Sequence, residues 1–150
     1  MTAELADPKD KLVLIIEDDA SSADMLAMWI KSEGFQVDSS GSGSDGLKKA
    51  DALRTPDLIV LDYMLPGTSG YEVAKELQSG DARNVPVVII TGRRLDRQAV
   101  EMLRREHNVK EIMEKPVKPA VLASHLHRLL GTQPPAIGRK VDRGPLSSGW

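Results

Sequence analysis

Three acidic residues stand together where an apolar segment ends. Glu17, Asp18 and Asp19 directly follow LVLII, a run that is typical of a buried strand. Buried carboxylates without a partner are costly, because their charged form loses its hydration. A hard divalent cation relieves the repulsion among clustered carboxylates, and Mg²⁺ prefers oxygen ligands. The segment therefore indicates a magnesium site, with acids that merely begin a helix as the plain alternative.

Three further polar side chains follow apolar runs later in the chain. Asp62 ends LIVL, Thr91 ends VVII, and Lys115 comes shortly after the weaker run VKEIM. If these runs are parallel strands, their carboxyl ends meet at one edge of the sheet, where reactive residues of such folds lie. An aspartate beside a metal can act as a nucleophile and accept a phosphoryl group. An ammonium and a hydroxyl are suitable partners for the oxygens of that group.

Apolar and polar segments alternate along the chain in the manner of strands and helices. Strands are predicted at 12–16, 35–38, 58–61, 85–90 and 109–113, and helices at 21–33, 44–53, 69–78, 96–105 and 119–130. This alternation predicts an α/β fold, a three-layer doubly wound parallel sheet with helices on both faces. We expect one domain over 11–131, an N-terminal extension over 1–10 and a Pro/Gly-rich tail over 132–150.

The composition excludes several classes of protein. The 150 residues include no cysteine, which rules out disulfides, thiol catalysis and cysteine-based zinc sites. The net charge of −2 gives no strong attraction to nucleic acid or to an anionic membrane. Because the chain shows neither a signal peptide nor an apolar run of membrane-spanning length, we expect a cytoplasmic protein without a membrane or nucleic-acid partner.

Four segments in a fixed order resemble one family. LIIEDD, PDLIVLDYMLPGTSGYEV, VPVVIITG and EKPVKP together are similar to the receiver domain of bacterial two-component response regulators, the CheY-like family. The resemblance implies a flavodoxin-like (βα)₅ fold with strand order 2-1-3-4-5. It also implies that Asp62 is the phosphoacceptor, assisted by Thr91 and Lys115. The Mg²⁺ ligands would be Glu17, Asp18, Asp62 and the backbone carbonyl of Met64.

The resemblance also implies the partners. A phosphohistidine on a sensor histidine kinase or phosphotransfer protein would donate the phosphoryl group, and an unidentified downstream protein would receive the signal. We expect a stand-alone signalling module and not an enzyme, because it would catalyse only its own phosphorylation and dephosphorylation. One alternative is the receiver portion of a larger regulator or hybrid histidine kinase. Another is a Mg²⁺-dependent aspartyl-phosphate hydrolase, although the second aspartate of haloacid-dehalogenase-like phosphatases is replaced here by Met64.

One position departs from the family pattern, and a cation follows the predicted site hydroxyl. Ile112 stands where most relatives carry Tyr or Phe, and Arg93 adds a cation two residues after Thr91. We therefore predict that Thr91 and Arg93, and not an aromatic ring, signal phosphorylation.

One segment matches a different pattern. GSGSDG, residues 41–46, matches a dinucleotide-binding turn but belongs to the second βα unit, so we predict a flexible loop there.

Overall fold

The central sheet of the computed structural model contains five parallel strands, and the structure describes residues 4–135. The strands are β1 Leu12–Ile16, β2 Gln36–Ser40, β3 Leu58–Asp62, β4 Val87–Thr91 and β5 Val109–Glu114. The helices are α1 Ala20–Ser32, α2 Gly43–Ala50, α3 Gly70–Leu77, α4 Arg97–Arg105 and α5 Pro119–Leu130. The strand order β2-β1-β3-β4-β5 confirms the predicted α/β fold and the predicted order 2-1-3-4-5.

The core lies on both faces of this sheet, because successive residues of a strand point in opposite directions. Val13 and Ile15 of β1 pack with α1 and α5 through Leu26, Ile30, Leu122 and Leu126. Leu14 and Ile16 face the other side, where they pack with α2, α3 and α4 through Ala50, Val73, Leu77 and Leu103. Burial on both faces explains why the central strands read as continuous apolar runs.

The parallel register sets the carboxyl ends of β1, β3, β4 and β5 side by side. Ile16 pairs with Leu61, Asp62 pairs with Ile90, and Thr91 pairs with Glu114. The residues that follow these strands therefore meet at one edge of the sheet. This edge is the place where the sequence predicted the chemistry.

The segment GSGSDG differs from the predicted flexible loop. Ser42 caps α2, because its hydroxyl accepts a hydrogen bond from the Asp45 N–H at 3.1 Å. Gly46 packs so closely against Ile16 that a Cβ at this position would overlap the isoleucine side chain. Four of its six residues thus form the first turn of α2, and Gly46 allows close packing on β1. The same helix ends at Ala50, earlier than the predicted residue 53.

Residues on either side of the predicted domain contact each other. The Ala6 N–H donates to the Gly131 carbonyl at 2.9 Å, and the Gln133 N–H donates to the Ala6 carbonyl at 3.0 Å. Thr132 is buried beside them. The domain boundaries at 11 and 131 stay a prediction, and residues 136–150 of the predicted tail lie outside the described residues. No helix within residues 4–135 has the length and apolar character needed to cross a membrane.

Candidate functional site

Three carboxylates meet at the carboxyl edge of the sheet. Oxygen atoms of Glu17, Asp18 and Asp62 lie within 4.8 Å of one another. Glu17 and Asp62 are buried, with 3% and 6% of their surface exposed, whereas Asp18 is exposed to solvent. Asp19 does not join them, because its carboxylate caps α1 by accepting the Ser22 N–H at 2.8 Å. The plain explanation of a helix-start acid therefore applies to Asp19, and the other three acids form a cluster.

Lys115 is the cation of this cluster. Its Nζ donates to Glu17 Oε2 at 2.8 Å and lies 3.6 Å from Asp62 Oδ2. Burial raises the pKa of Glu17 above its ordinary value, although the hydrogen bond from Lys115 opposes this change. Burial lowers the pKa of Lys115, but Glu17 and Asp62 outweigh it, so that this pKa is raised. The cluster thus contains one ammonium and three carboxylates, an excess of negative charge that suits a further cation.

The backbone around Asp62 fixes the direction of its carboxylate. The Met64 N–H donates to Asp62 Oδ1 at 3.0 Å, which leaves Oδ2 on the side of Lys115. Gly70, the first residue of α3, lies against this segment. A Cβ on Gly70 would stand 2.8 Å from both the Asp62 carbonyl oxygen and the Tyr63 Cα, so only glycine fits without movement of the backbone. The beginning of α3 therefore holds the segment that carries Asp62.

Thr91 is buried at the end of β4, and its hydroxyl is bonded within its own loop. Thr91 Oγ1 donates to the Arg93 carbonyl at 2.9 Å and accepts the Arg93 N–H at 3.2 Å. The Arg93 side chain is exposed, and its Nη1 lies 4.0 Å from Met64 Sδ. Ile112 is half-buried on β5, where it pairs with Ile89 in the register and packs on the α2–α4 side of the sheet.

The structure brings most of the predicted site residues together, while their roles stay predictions. Glu17, Asp18, Asp62 and Lys115 form one cluster, and Thr91 ends the strand next to that of Asp62. Sequence reasoning missed Gly70. The capping box of Ser69 and Glu72 was the available signal, because it starts α3 directly after the Asp62 segment and brings its first residue next to that backbone.

The donor set fits Mg²⁺. It consists of hard carboxylate oxygens, which this ion prefers, and it contains neither histidine nor sulfur side chains as ligands. The exposed position of Asp18 opens the cluster to solvent, which suits an ion that keeps several of its waters. Glu17, Asp18 and Asp62 are thus the residues that would hold it.

Comparison with known proteins yields one family and many relatives. A family model described as the response regulator receiver domain matches residues 13–127. The transcriptional regulatory protein AfsQ1 of Streptomyces coelicolor is 36% identical over 118 residues, which are 79% of this chain and 50% of that protein. The DNA-binding response regulator MtrA of Mycobacterium tuberculosis is 35% identical over 118 residues, again 79% and 50% of the two chains. This chain thus spans about half the length of these relatives.

Solved structures of receiver domains share the fold. One is the receiver domain of a Pseudomonas aeruginosa sensor histidine kinase, crystallised with a magnesium ion in its active-site cleft. It has a TM-score of 0.71 at 24% identity and covers 81% of this chain and 98% of its own. The receiver domain of a Syntrophus aciditrophicus histidine kinase has a TM-score of 0.70 at 29% identity, with coverage of 92% and 97%. Both superpose on nearly their whole length.

Proposed function

Because the chain belongs to the response regulator receiver domain family, we propose that it is a phosphorylation-controlled signalling protein. A phosphohistidine of a sensor histidine kinase or phosphotransfer protein donates a phosphoryl group to Asp62, with Mg²⁺ bound by Glu17, Asp18, Asp62 and the Met64 carbonyl. The protein acts on no other substrate. Its output is a contact with a downstream protein, and a cytoplasmic location is part of the proposal.

The observation that carries this proposal is the geometry of the acidic cluster. Asp62 is buried, yet its Oδ2 lies beside an ammonium, and its carboxylate lies within 4.8 Å of two others. Such crowding costs folding free energy unless a cation offsets it. A bound metal would offset the negative charge of the three carboxylates. If Asp62 accepts a phosphoryl group, the Lys115 ammonium can donate to the oxygens of that group. A purely structural ion pair would need only one of the three acids.

Asp62, Met64 and Lys115 have separate roles in the phosphoryl transfer. Asp62 Oδ2 attacks phosphorus, the N–P bond of the phosphohistidine breaks, and the imidazole retains the electron pair of that bond. The Met64 N–H holds Oδ1 and so aims Oδ2. Lys115 donates to an oxygen of the transferred group, which requires it to loosen its bond to Glu17. Mg²⁺ held by Glu17, Asp18 and Asp62 would supply further positive charge to the transferred group.

Thr91 and Arg93 are proposed to convey the phosphorylated state. Thr91 Oγ1 must leave the Arg93 carbonyl in order to donate to a phosphoryl oxygen, and this movement releases the loop that carries Arg93. Arg93 would then face the phosphoryl oxygens. Ile112 has no ring to move inward and is stiff at χ1, so we propose that β5 responds weakly.

A larger protein that includes this receiver domain is the second candidate. The observation in its favour is that the chain spans about half the length of relatives such as AfsQ1. Those relatives include proteins named DNA-binding response regulators. For this chain, the absence of a nucleic-acid partner stays a prediction that rests on its net charge of −2.

Small-molecule phosphorylation tests the proposal. The full chain is incubated with acetyl phosphate and Mg²⁺, and the added phosphoryl mass is followed on the intact protein. We expect one phosphoryl group, located on Asp62 by peptide mapping, and none after chelation of the metal. A phosphoryl group on another residue would overturn the assignment.

A further inference from the structure

Met64 connects two loops of the site through its side chain. It lies two residues after Asp62, and 47% of its surface is exposed. Arg93 Nη1 donates to Met64 Sδ at 4.0 Å, so the contact joins the loop after β3 to the loop after β4. A thioether sulfur is a weak hydrogen-bond acceptor, so this contact is weak in the reduced protein.

Oxidation changes the strength of this contact. A sulfur lone pair attacks one oxygen of a peroxide, the O–O bond breaks, and the thioether becomes a sulfoxide while hydrogen peroxide is reduced to water. The new oxygen is a strong acceptor, and the sulfur that bears it already lies beside the Arg93 guanidinium. A hydrogen bond from a charged donor to an oxygen is much stronger than one to a thioether.

We propose that Met64 is an oxidation site through which peroxides slow the transfer of a phosphoryl group to Asp62. The sulfoxide holds the Arg93 side chain against Met64, so the guanidinium is less free to move onto the anionic phosphodonor. It also holds the loop whose backbone engages Thr91 Oγ1, so the threonine hydroxyl is kept from the phosphoryl oxygens. The inference rests on the proposed function, because it concerns the rate of that reaction.

The other methionines provide the controls. Met28 is more exposed than Met64, at 60%, and lies on α1. Met25 and Met102 are exposed at 45% and 36%, whereas Met113 is exposed at only 9%. Peroxide reaches the exposed methionines as well, but among the side-chain hydrogen bonds of residues 4–135 only that of Met64 joins a methionine to a cation. The fall in labelling rate should therefore correlate with the oxidised fraction of Met64 and not with the total number of sulfoxides.

The test treats the full chain with hydrogen peroxide, maps sulfoxides by peptide mass, and measures the initial rate of labelling by acetyl phosphate. We expect the rate to fall on the order of three- to tenfold, as one strengthened charged hydrogen bond allows, in step with the Met64 sulfoxide. Met64→Leu should have the same rate before and after peroxide, and Met28→Leu should show the full fall. Arg93→Ala should start from a lower rate of its own, because it lacks this cation, and should form the Met64 sulfoxide without a further fall. Methionine sulfoxide reductase should restore the rate of the unsubstituted protein.

Two results would overturn the inference. One is an equal fall in rate for Met64→Leu, and the other is complete Met64 sulfoxide with an unchanged rate. If the untreated protein takes up no phosphoryl group, the proposed function fails instead. The contact itself is then read from the side-chain NMR signal of Arg93, which should shift on oxidation in the parent protein and stay in place in Met64→Leu.

Discussion

Removing Asp18 should stabilise the metal-free protein and reduce its response to Mg²⁺. The Asp18 carboxylate lies within 4.8 Å of those of Glu17 and Asp62, and within residues 4–135 it forms no ion pair. Two unit charges about 4 Å apart repel by about 1 kcal/mol in water and by about 4 kcal/mol at an effective dielectric constant of 20. Asp18 is exposed, so the lower value applies to each neighbour.

Lys115, which contacts Glu17 and Asp62, offsets part of this repulsion. We therefore expect Asp18→Ala to raise the free energy of unfolding by about 1 kcal/mol without metal, or roughly 3–5 °C in melting temperature for a domain of this size. With Mg²⁺ at a hundredfold its dissociation constant, the parent protein gains about 2.7 kcal/mol. If the loss of this ligand weakens Mg²⁺ binding by at least about tenfold, the variant gains at most about 1.4 kcal/mol, and the order of the two melting temperatures should reverse.

Thermal melts at low ionic strength measure both effects. Melts with chelator give the stability change without metal, and melts with excess Mg²⁺ give the gain from metal binding. Asp24→Ala is the matched control, because Asp24 is an exposed acid of α1 outside the cluster. It should respond to Mg²⁺ as the parent protein does. The reasoning is refuted if Asp18→Ala melts below the parent protein in chelator, or if it gains as much as the parent protein from Mg²⁺.

Three further substitutions or complexes probe the surroundings of Asp62. Gly70→Ala should cost about 1–3 kcal/mol of unfolding free energy and slow labelling, because its Cβ meets backbone atoms. Gly41→Ala is the control, because its Cβ would meet nothing within 4 Å, and it should change the unfolding free energy and the labelling rate by little. Urea melts and labelling rates measure these two quantities. Lys115→Ala should retain most of its Mg²⁺ affinity in calorimetry but lose most of its labelling rate, and equal losses of both would contradict its role. In amide NMR spectra with beryllofluoride, residues 91–96 should shift strongly and residues 109–130 weakly, whereas strong shifts around Ile112 would show that it replaces the aromatic ring.

The fold and the members of the acidic cluster were predictable from local signals. β1 is an apolar run directly followed by acids, and β3 and β4 are apolar runs that end in a polar residue. The sheet topology then determines that those ends meet. The bonds of Thr91 to Arg93 were not predictable, because a hydroxyl has several partners within reach and the loop conformation decides among them. The packing of Gly46 on Ile16 was missed for a similar reason, since glycine in a sequence indicates a loop as readily as close packing.

The contact between Ala6 and Thr132 was also beyond sequence reasoning. It joins residues far apart in the chain, and neither segment has a periodic pattern. The same holds for the ion pair of Lys115 with Glu17, whose partners are 98 residues apart. The sequence predicted that both lie at one edge of the sheet. It contained no information on which carboxylate would accept the hydrogen bond of the ammonium.

The central claim is that Asp62 accepts a phosphoryl group in a site that needs Mg²⁺. Intact-mass measurement of the full chain and of Asp62→Asn, each incubated with acetyl phosphate, tests it most directly. Asn keeps the size of the side chain and removes the nucleophilic carboxylate, so the variant should remain folded and unlabelled. The parent protein should gain one phosphoryl group with Mg²⁺ and none with chelator. Full labelling of Asp62→Asn, or labelling of the parent protein that is unaffected by chelation, would contradict the account.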